Sequence, residues 1–251
     1  MYPFWCVLTS CLDLLTWLDL QVYPLWCVAP PATGGLGLRP QQIGSLLMVS
    51  GLSLILFQLF AYPWLARRVR VTRIFVGGSA MSGLLYATPP LAVTLCSEAG
   101  ATRGVDRWDE TGSGADDSTP ADTALITVLC LLRVLQAAAG AAMFTSTFII
   151  INNSVDASNR GRVNGLSMAL AAAFRALGPV VGANSFAWAL TNGLGAPFDV
   201  HFTFNLCALL GMGTSLFGLR WLPGHAYDQA RGAQRTSGAG GTTEMASEAD
   251  I

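Results

Sequence analysis

Four charged side chains stand inside stretches of sequence that are otherwise apolar enough to lie in a membrane. They are two carboxylates, Asp13 and Asp19, and two guanidinium groups, Arg133 and Arg175. Because an uncompensated charge is costly in hydrocarbon, such side chains face a bundle interior or a watery cavity and pair there. These four residues are therefore the candidates for binding an ionic solute or a proton.

The four charges differ in how easily they reach water. By the rise of about 1.5 Å per residue, Asp13, Arg133 and Arg175 lie near mid-depth of their segments. Asp19 lies nearer to an end, so headgroup water is an equal alternative for it. Each arginine has a long stem that can extend toward the surface, although from mid-depth it must reach far. Asp13 is the best functional candidate because a short carboxylate needs a partner or a proton, and its pairing with either arginine stays open.

Other chemistries find little support in the sequence. The six cysteines contain no Cys-x-x-Cys pair, and the two histidines do not cluster. A cysteine inside an apolar run usually behaves as a small hydrophobic residue. We therefore predict no disulfide, no metal site and no cofactor. Since no nucleophile motif and no His/Asp/Glu pair at metal-ligand spacing is present, we also predict that the chain is not an enzyme.

The composition is that of a membrane protein. Hydrophobic residues make up 52% of the chain and charged residues 12%, about half the share of roughly 25% in soluble domains. A soluble protein of this size could not cover its surface with so few charges, whereas lipid can cover a polytopic one. The net charge of −1 excludes a strongly basic protein, and we predict no nucleic-acid partner.

Six apolar segments reach the length of about 20 residues that crosses a bilayer as a helix. They run approximately over residues 3–28, 43–66, 72–96, 123–151, 163–191 and 200–222. The first segment lacks the basic start and the cleavage site of a signal peptide, so we interpret it as a retained helix. The sequence thus predicts an all-α polytopic protein with a six-helix transmembrane unit over 1–222. Segments one, four and five, which carry the charges, are predicted to line a cavity, and segments three and six to face lipid.

The arginines between the segments predict the orientation. Arg67 and Arg68 belong to a cluster of four arginines in ARRVRVTR, and Arg160 lies in the linker between segments four and five. By the positive-inside rule both linkers face the cytoplasm, as do both termini. The acidic linker 97–122 is predicted to be flexible and non-cytoplasmic, and 223–251 to be a disordered cytoplasmic tail. The sequon at Asn152 would then face the cytoplasm and stay unglycosylated.

Small residues in segment five predict close helix packing. Gly161 and Gly165, and again Gly178 and Gly182, have the small-xxx-small spacing that lets helix backbones approach. Pro179 removes one backbone hydrogen bond and favours a kink. A bend beside a close-packed face suits a helix that rocks against its neighbours, and static packing is the simpler alternative.

Several stretches resemble, in order, the C-terminal half of major facilitator superfamily transporters, especially the zinc-induced facilitator-like branch of the drug:proton antiporter type. The most specific is RGRVNGLSMALAAAFRALGPVVG (160–182), which is similar to the fifth helix of that half. The others are VYPLWCVAPPATGGLGL, QIGSLLMVSGLSLILFQLFAYPWLARRV, FIIINNSVD and HFTFNL. Together they cover roughly residues 20 to 222. The resemblance implies that the six segments are helices seven to twelve of a twelve-helix carrier.

The resemblance also implies which residues form the substrate and proton pathway. The first two helices of each three-helix repeat would line the central cavity, in agreement with the distribution of charges. The residues along that pathway would then be Asp13, Asp19, Gln21, Arg133 and Arg175. Gln21 stands where the family pattern leads us to expect an acidic residue, so a proton site cannot be carried over to that position.

The expected function is secondary active transport of a small solute, proton-coupled and by alternating access. Since alternating access needs two six-helix halves, we expect this chain to be a fragment, or to pair with the missing N-terminal half or with a second chain. Its other partners would be the lipid bilayer, a small-molecule or ionic substrate and protons. The alternative is a non-transporting half-carrier that acts as a scaffold or regulatory subunit. The expected location is the vacuolar or plasma membrane.

Overall fold

The computed structural model describes residues 2–30, 33–98, 120–153, 155 and 158–222, and for 2–13, 90, 92–98 and 120–123 it describes the backbone alone. Most of the predicted acidic linker and the whole predicted tail therefore lie outside the described residues. Within the described residues all regular structure is helical, so the all-α prediction is confirmed.

The helices follow the apolar segments in order. They are α1 (Tyr2–Val28), α2 (Pro40–Leu56), a π-helical turn (Phe57–Ala61), α3 (Tyr62–Arg68), α4 (Val71–Glu98), α5 (Pro120–Asn153), α6 (Arg160–Thr191) and α7 (His201–Trp221). The second apolar segment comprises α2, the π turn and α3. Among the described residues, four stretches are long and apolar enough to cross a membrane: Pro40–Arg68, Ala124–Asn153, Arg160–Thr191 and His201–Trp221.

α1 presents its large side chains to the bundle at helical spacing. Leu15, Leu18, Val22 and Trp26 are each almost completely buried, and steps of three and four residues place them on one face. After α1 the chain folds back on the helix end, where the Trp26 indole Nε1 donates to the carbonyl of Gly34 at 3.1 Å. Gly34 has φ +83°, a conformation that glycine adopts without steric cost.

α4 lies between α5 and α7 and meets both through glycines. A Cβ on Gly78 would stand 3.1 Å from the Ala139 carbonyl oxygen of α5. On the side of α7, a Cβ on Gly211 would stand 2.7 Å from the Cα of Gly83. The backbones therefore approach so closely that no side chain fits between them, as small residues permit in membrane bundles.

The π turn and α3 are joined to α5 by two side-chain hydrogen bonds. The Gln58 amide Nε2 donates to Thr145 Oγ1 at 2.6 Å, and the hydroxyls of Tyr62 and Ser146 lie 3.1 Å apart. Gln58 lies within the π turn and Tyr62 directly after it, and the turn continues without a break into α2 and α3. A π turn adds a residue to the helical register, and here Gln58 and Tyr62, at its two ends, both contact α5.

Candidate functional site: a buried ion pair between α1 and α5

Asp19 of α1 and Arg133 of α5 form an ion pair inside the bundle. The Arg133 Nη1 donates to Asp19 Oδ2 at 2.7 Å, and only 8% and 9% of the two side chains are exposed, respectively. Asp19 lies between Leu18, which belongs to one apolar cluster, and Val22, which belongs to another. The pair thus lies where two apolar layers of the core meet.

An aromatic ring completes the surroundings of the guanidinium. The Arg133 Cζ lies 4.1 Å from the ring centroid of Tyr23, which is itself buried. Tyr23 follows Asp19 by four residues, so one turn of α1 supplies both the carboxylate and the ring. A guanidinium over an aromatic face is stabilised by the ring quadrupole, and more so when desolvated.

Neutral polar side chains from α4, α5 and α7 lie near the ion pair. Tyr86 of α4 is buried within electrostatic reach of both Asp19 and Arg133, with Gln136 beside it. Cys207 of α7 is also buried near Asp19. Four helices therefore contribute to one polar cluster, which we call the ion-pair cluster: Asp19, Tyr23, Tyr86, Arg133, Gln136 and Cys207.

The sequence prediction singled out the charges of this cluster but not their pairing. Arg133 meets Asp19, whereas the sequence offered Asp13 as its partner and headgroup water as an equal alternative for Asp19. The physical reason is the helix face: Asp19 shares the buried face of α1 with Leu15, Leu18 and Val22. The Asp13 side chain lies outside the described residues, so its pairing stays a prediction.

The neutral members of the cluster were missed because they carry no charge in an apolar segment. Two of them had a usable signal in their spacing. Tyr23 follows Asp19 by four residues and Gln136 follows Arg133 by three, and both intervals place side chains on one helix face. Tyr86 and Cys207 had no such spacing signal, because nothing in a single sequence shows which faces of α4 and α7 turn toward α1.

Arg175 and Gln21 lie at a different contact, between α1 and α6. The Arg175 Cζ lies 5.2 Å from the ring centroid of Trp17, and the Arg175 side chain is half-buried. Gln21 is half-buried, and its Cβ would be 3.6 Å from a Cβ on Gly182. The structure therefore does not bring either residue into the ion-pair cluster, although the sequence placed all of them on one pathway.

Only one of the two predicted glycine pairs packs against another helix in the described part of the chain. A Cβ on Gly178 would stand 2.7 Å from the Trp17 Cβ, and one on Gly182 would stand 3.3 Å from Val22. Gly161 and Gly165 are exposed, and no other described element has an atom within 4 Å of an added Cβ, so close packing at this pair stays a prediction.

α6 is a single continuous helix at Pro179, where the sequence predicted a bend. Regular helix runs without interruption from Arg160 to Thr191, with Pro179 inside it. The neighbouring Gly178 contacts α1 through Trp17. The Gly-Pro pair therefore lies within the contact of α6 with α1.

The predicted cytoplasmic arginines are exposed. Arg67 and Arg68 end α3, and the Arg68 Cζ lies 4.4 Å from the ring centroid of Trp64. Arg160 begins α6, and its Nε donates to the Val155 carbonyl at 3.3 Å. Their exposure suits contact with water or with lipid headgroups.

Groups that bind metals do not gather within the described residues. No three side chains among His, Cys, Asp and Glu come together there, and Cys27, Cys130 and Cys207 are free thiols. His201 Nδ1 lies 2.6 Å from Asp199 Oδ1 in the turn before α7. The same Asp199 oxygen accepts a hydrogen bond from the His201 backbone N–H, so this contact belongs to the start of α7.

Long apolar helices around a buried ion pair define an integral, polytopic membrane protein. The sequence profile of the Major Facilitator Superfamily matches residues 11–244. The chain belongs to this superfamily, and the resemblance seen in the sequence is confirmed.

Curated relatives support the resemblance to the zinc-induced facilitator-like branch. The protein Zinc Induced Facilitator 1 of Arabidopsis thaliana is 30% identical over 201 residues, which are 76% of this chain and 35% of that protein. Zinc Induced Facilitator-Like 1 of the same plant is 28% identical over 200 residues, covering 76% of this chain and 36% of that protein. A probable peptide/nitrate transporter, also of Arabidopsis thaliana, is 28% identical over 203 residues, covering 76% and 37%.

The chain spans little more than a third of the length of these relatives. No solved structure matches it. The ion-pair cluster is therefore described from the structure of this chain and not by comparison with a solved structure.

Proposed function

We propose that the chain forms the six-helix part of a secondary carrier that moves a small polar or ionic solute in exchange with protons. The observation that carries the proposal is the Asp19–Arg133 pair, 2.7 Å apart and buried between two apolar layers. Membership of a transporter superfamily supports the general activity, and relatives are named as facilitators or as a transporter.

The proton would act on Asp19. A neutral carboxylic acid attracts a guanidinium far less than a carboxylate does, so protonation weakens the contact that joins α1 to α5. Opening the pair frees Arg133 for an anionic group of the solute, which can satisfy the same donors. Proton and solute thus compete through one arginine, and this competition is the coupling.

The surrounding helices would convert this local event into movement. α1 is packed on α6 through Trp17 and Gly178, so a shift of α1 carries α6 with it. Rocking of one half against another around a midplane site is the form of alternating access that this movement would serve. The partner surface would be the second six-helix half, in the same or another chain.

The test measures proton movement driven by solute in vesicles that contain the full-length protein and a trapped pH-sensitive dye. Nitrate, dialanine and zinc citrate are added separately as probes, with uptake of each followed in parallel. We expect at least one probe to change the internal pH, and Asp19→Asn to abolish this change. Asp199→Asn is the matched control, because Asp199 lies in the turn before α7, and it should leave the change intact.

Two results would contradict the proposal. An Asp19→Asn protein with the same solute-driven pH change would exclude Asp19 as the coupling group. If the well-folded protein in the vesicles takes up none of the probes, this result would instead favour the scaffold or regulatory subunit.

A further inference from the structure

We propose that the outward face of α4, together with the arginines beside it, binds an anionic glycerophospholipid. This inference goes beyond transport and does not depend on it. It begins with the exposed residues of α4, which are Arg73, Gly77, Met81, Leu84 and Leu91. Steps of three, four and seven residues place them in one stripe along the helix.

The stripe has the polarity of a phospholipid. Arg73, in the first turn of α4, offers a guanidinium to a phosphate, and Met81 and Leu84 farther along are 50% and 63% exposed. Gly77 lies between Arg73 and Met81, with no atom within 4 Å of an added Cβ. The missing side chain leaves a shallow trough in which an acyl chain can lie against the helix.

Further arginines lie near Arg73, at the start of the stripe. Residues 69–70 form the turn that joins α3 to α4, and Val69 and Ile74 pack in an apolar cluster. Four exposed arginines lie at this junction: Arg67, Arg68, Arg70 and Arg73.

The end of α7 completes the same surface. A Cβ on Gly218 would lie 3.0 Å from Phe75 of α4, so the last turn of α7 lies beside the first turn of α4. Arg220 and Trp221 follow, and both are exposed. Among the described side chains only Asp19 and Asp199 are carboxylates, and neither lies at this end, while Asp156 falls outside the described residues.

Two exposed tryptophans favour a lipid over a soluble anion. Trp64 beside Arg68 and Trp221 beside Arg220 are 56% and 67% exposed. Tryptophan is enriched at the headgroup level of membrane proteins, where its ring is apolar and its N–H is wet. Clusters of arginine immediately beside a membrane helix attract anionic lipids of the cytoplasmic leaflet, so the predicted orientation agrees with this ligand.

The test is native mass spectrometry of the full chain in detergent, titrated with phosphatidylserine or with phosphatidylcholine of the same acyl chains. We expect phosphatidylserine to bind more tightly than phosphatidylcholine, and we expect salt to weaken the binding of phosphatidylserine. Replacing Arg67, Arg68 and Arg73 by Gln should lower its affinity by about fivefold for each arginine. Arg39→Gln removes the same charge at the predicted opposite membrane face and should have no effect.

The trough is tested without changing charge. Gly77→Leu fills the trough and should lower the affinity for phosphatidylserine. The control is Gly44→Leu in α2, an exposed glycine that also has free space around it, and this substitution should leave the affinity unchanged. Soluble glycerophosphoserine should bind much more weakly than the lipid. Equal binding of both lipids, equal loss in Arg39→Gln, or equal binding of glycerophosphoserine would each overturn the proposal.

Discussion

At the scale of single residues, the ion-pair cluster combines one positive and one negative charge with neutral polar groups. Desolvating two charges is expensive, so a buried pair adds little stability over apolar residues, but losing one partner is strongly unfavourable. Asp19 and Arg133 are therefore better suited to specify how α1 and α5 meet than to strengthen the fold. This is the property that a switch requires, because neutralising one partner then changes how the two helices meet.

Removing one charge should harm the fold more than removing both. We expect Arg133→Gln to destabilise the chain by about 3–5 kcal/mol, because it leaves the Asp19 carboxylate buried without its partner. The double variant Asp19→Asn/Arg133→Gln should recover much of this loss. Thermal unfolding in detergent, followed by tryptophan fluorescence, measures both. A double variant less stable than Arg133→Gln would show that the pair itself holds the helices together.

At the scale of helices, glycines decide which elements come close. α4 meets α5 and α7 through Gly78, Gly83 and Gly211, whereas α6 meets α1 through Gly178 and Gly182. Small-xxx-small spacing identified the second set and also Gly161 with Gly165, which lie on an open face in the described part of the chain. The same spacing is compatible with an open face, since it states that backbones can approach and not that a partner is present.

Matched substitutions on α6 separate the packed glycine from the open one. Gly178→Ala should lower stability by about 1–3 kcal/mol, because the new methyl group would overlap the Trp17 Cβ and push α1 away. Gly165→Ala should leave stability unchanged or raise it, since the site is open and alanine favours helix. The readout is again the unfolding temperature in detergent. Equal effects of the two substitutions would contradict the α1–α6 contact.

At the scale of the whole molecule, the arginines are distributed unequally between the two ends of the bundle. The described residues place the end of α3, the starts of α4 and α6 and the end of α7 at the arginine-rich end, and Asp199 with His201 at the other. The positive-inside rule translates this asymmetry into an orientation. The acidic linker between α4 and α5 should then lie on the non-cytoplasmic side.

Glycosylation tests this orientation directly. Asp109→Asn creates an acceptor site, because Glu110 and Thr111 follow it in the linker, and we expect one added glycan in a eukaryotic microsomal system. The unchanged chain should carry none at Asn152. Asp109→Asn combined with Thr111→Ala lacks the site and is the control. A glycan at Asn152 would reverse the proposed topology.

The sequence by itself determined the helices and the charges that matter. A chain in lipid must satisfy its backbone hydrogen bonds within each helix, so apolar length alone located the helices. The scarcity of charge singled out four candidates, Asp13, Asp19, Arg133 and Arg175, with Asp13 preferred over Asp19. Only the tertiary structure decided which carboxylate meets Arg133, which glycines are packed, and that Tyr86 and Cys207 join the cluster. These choices depend on the rotation and depth of each helix, which are set by side-chain packing between segments far apart in the sequence.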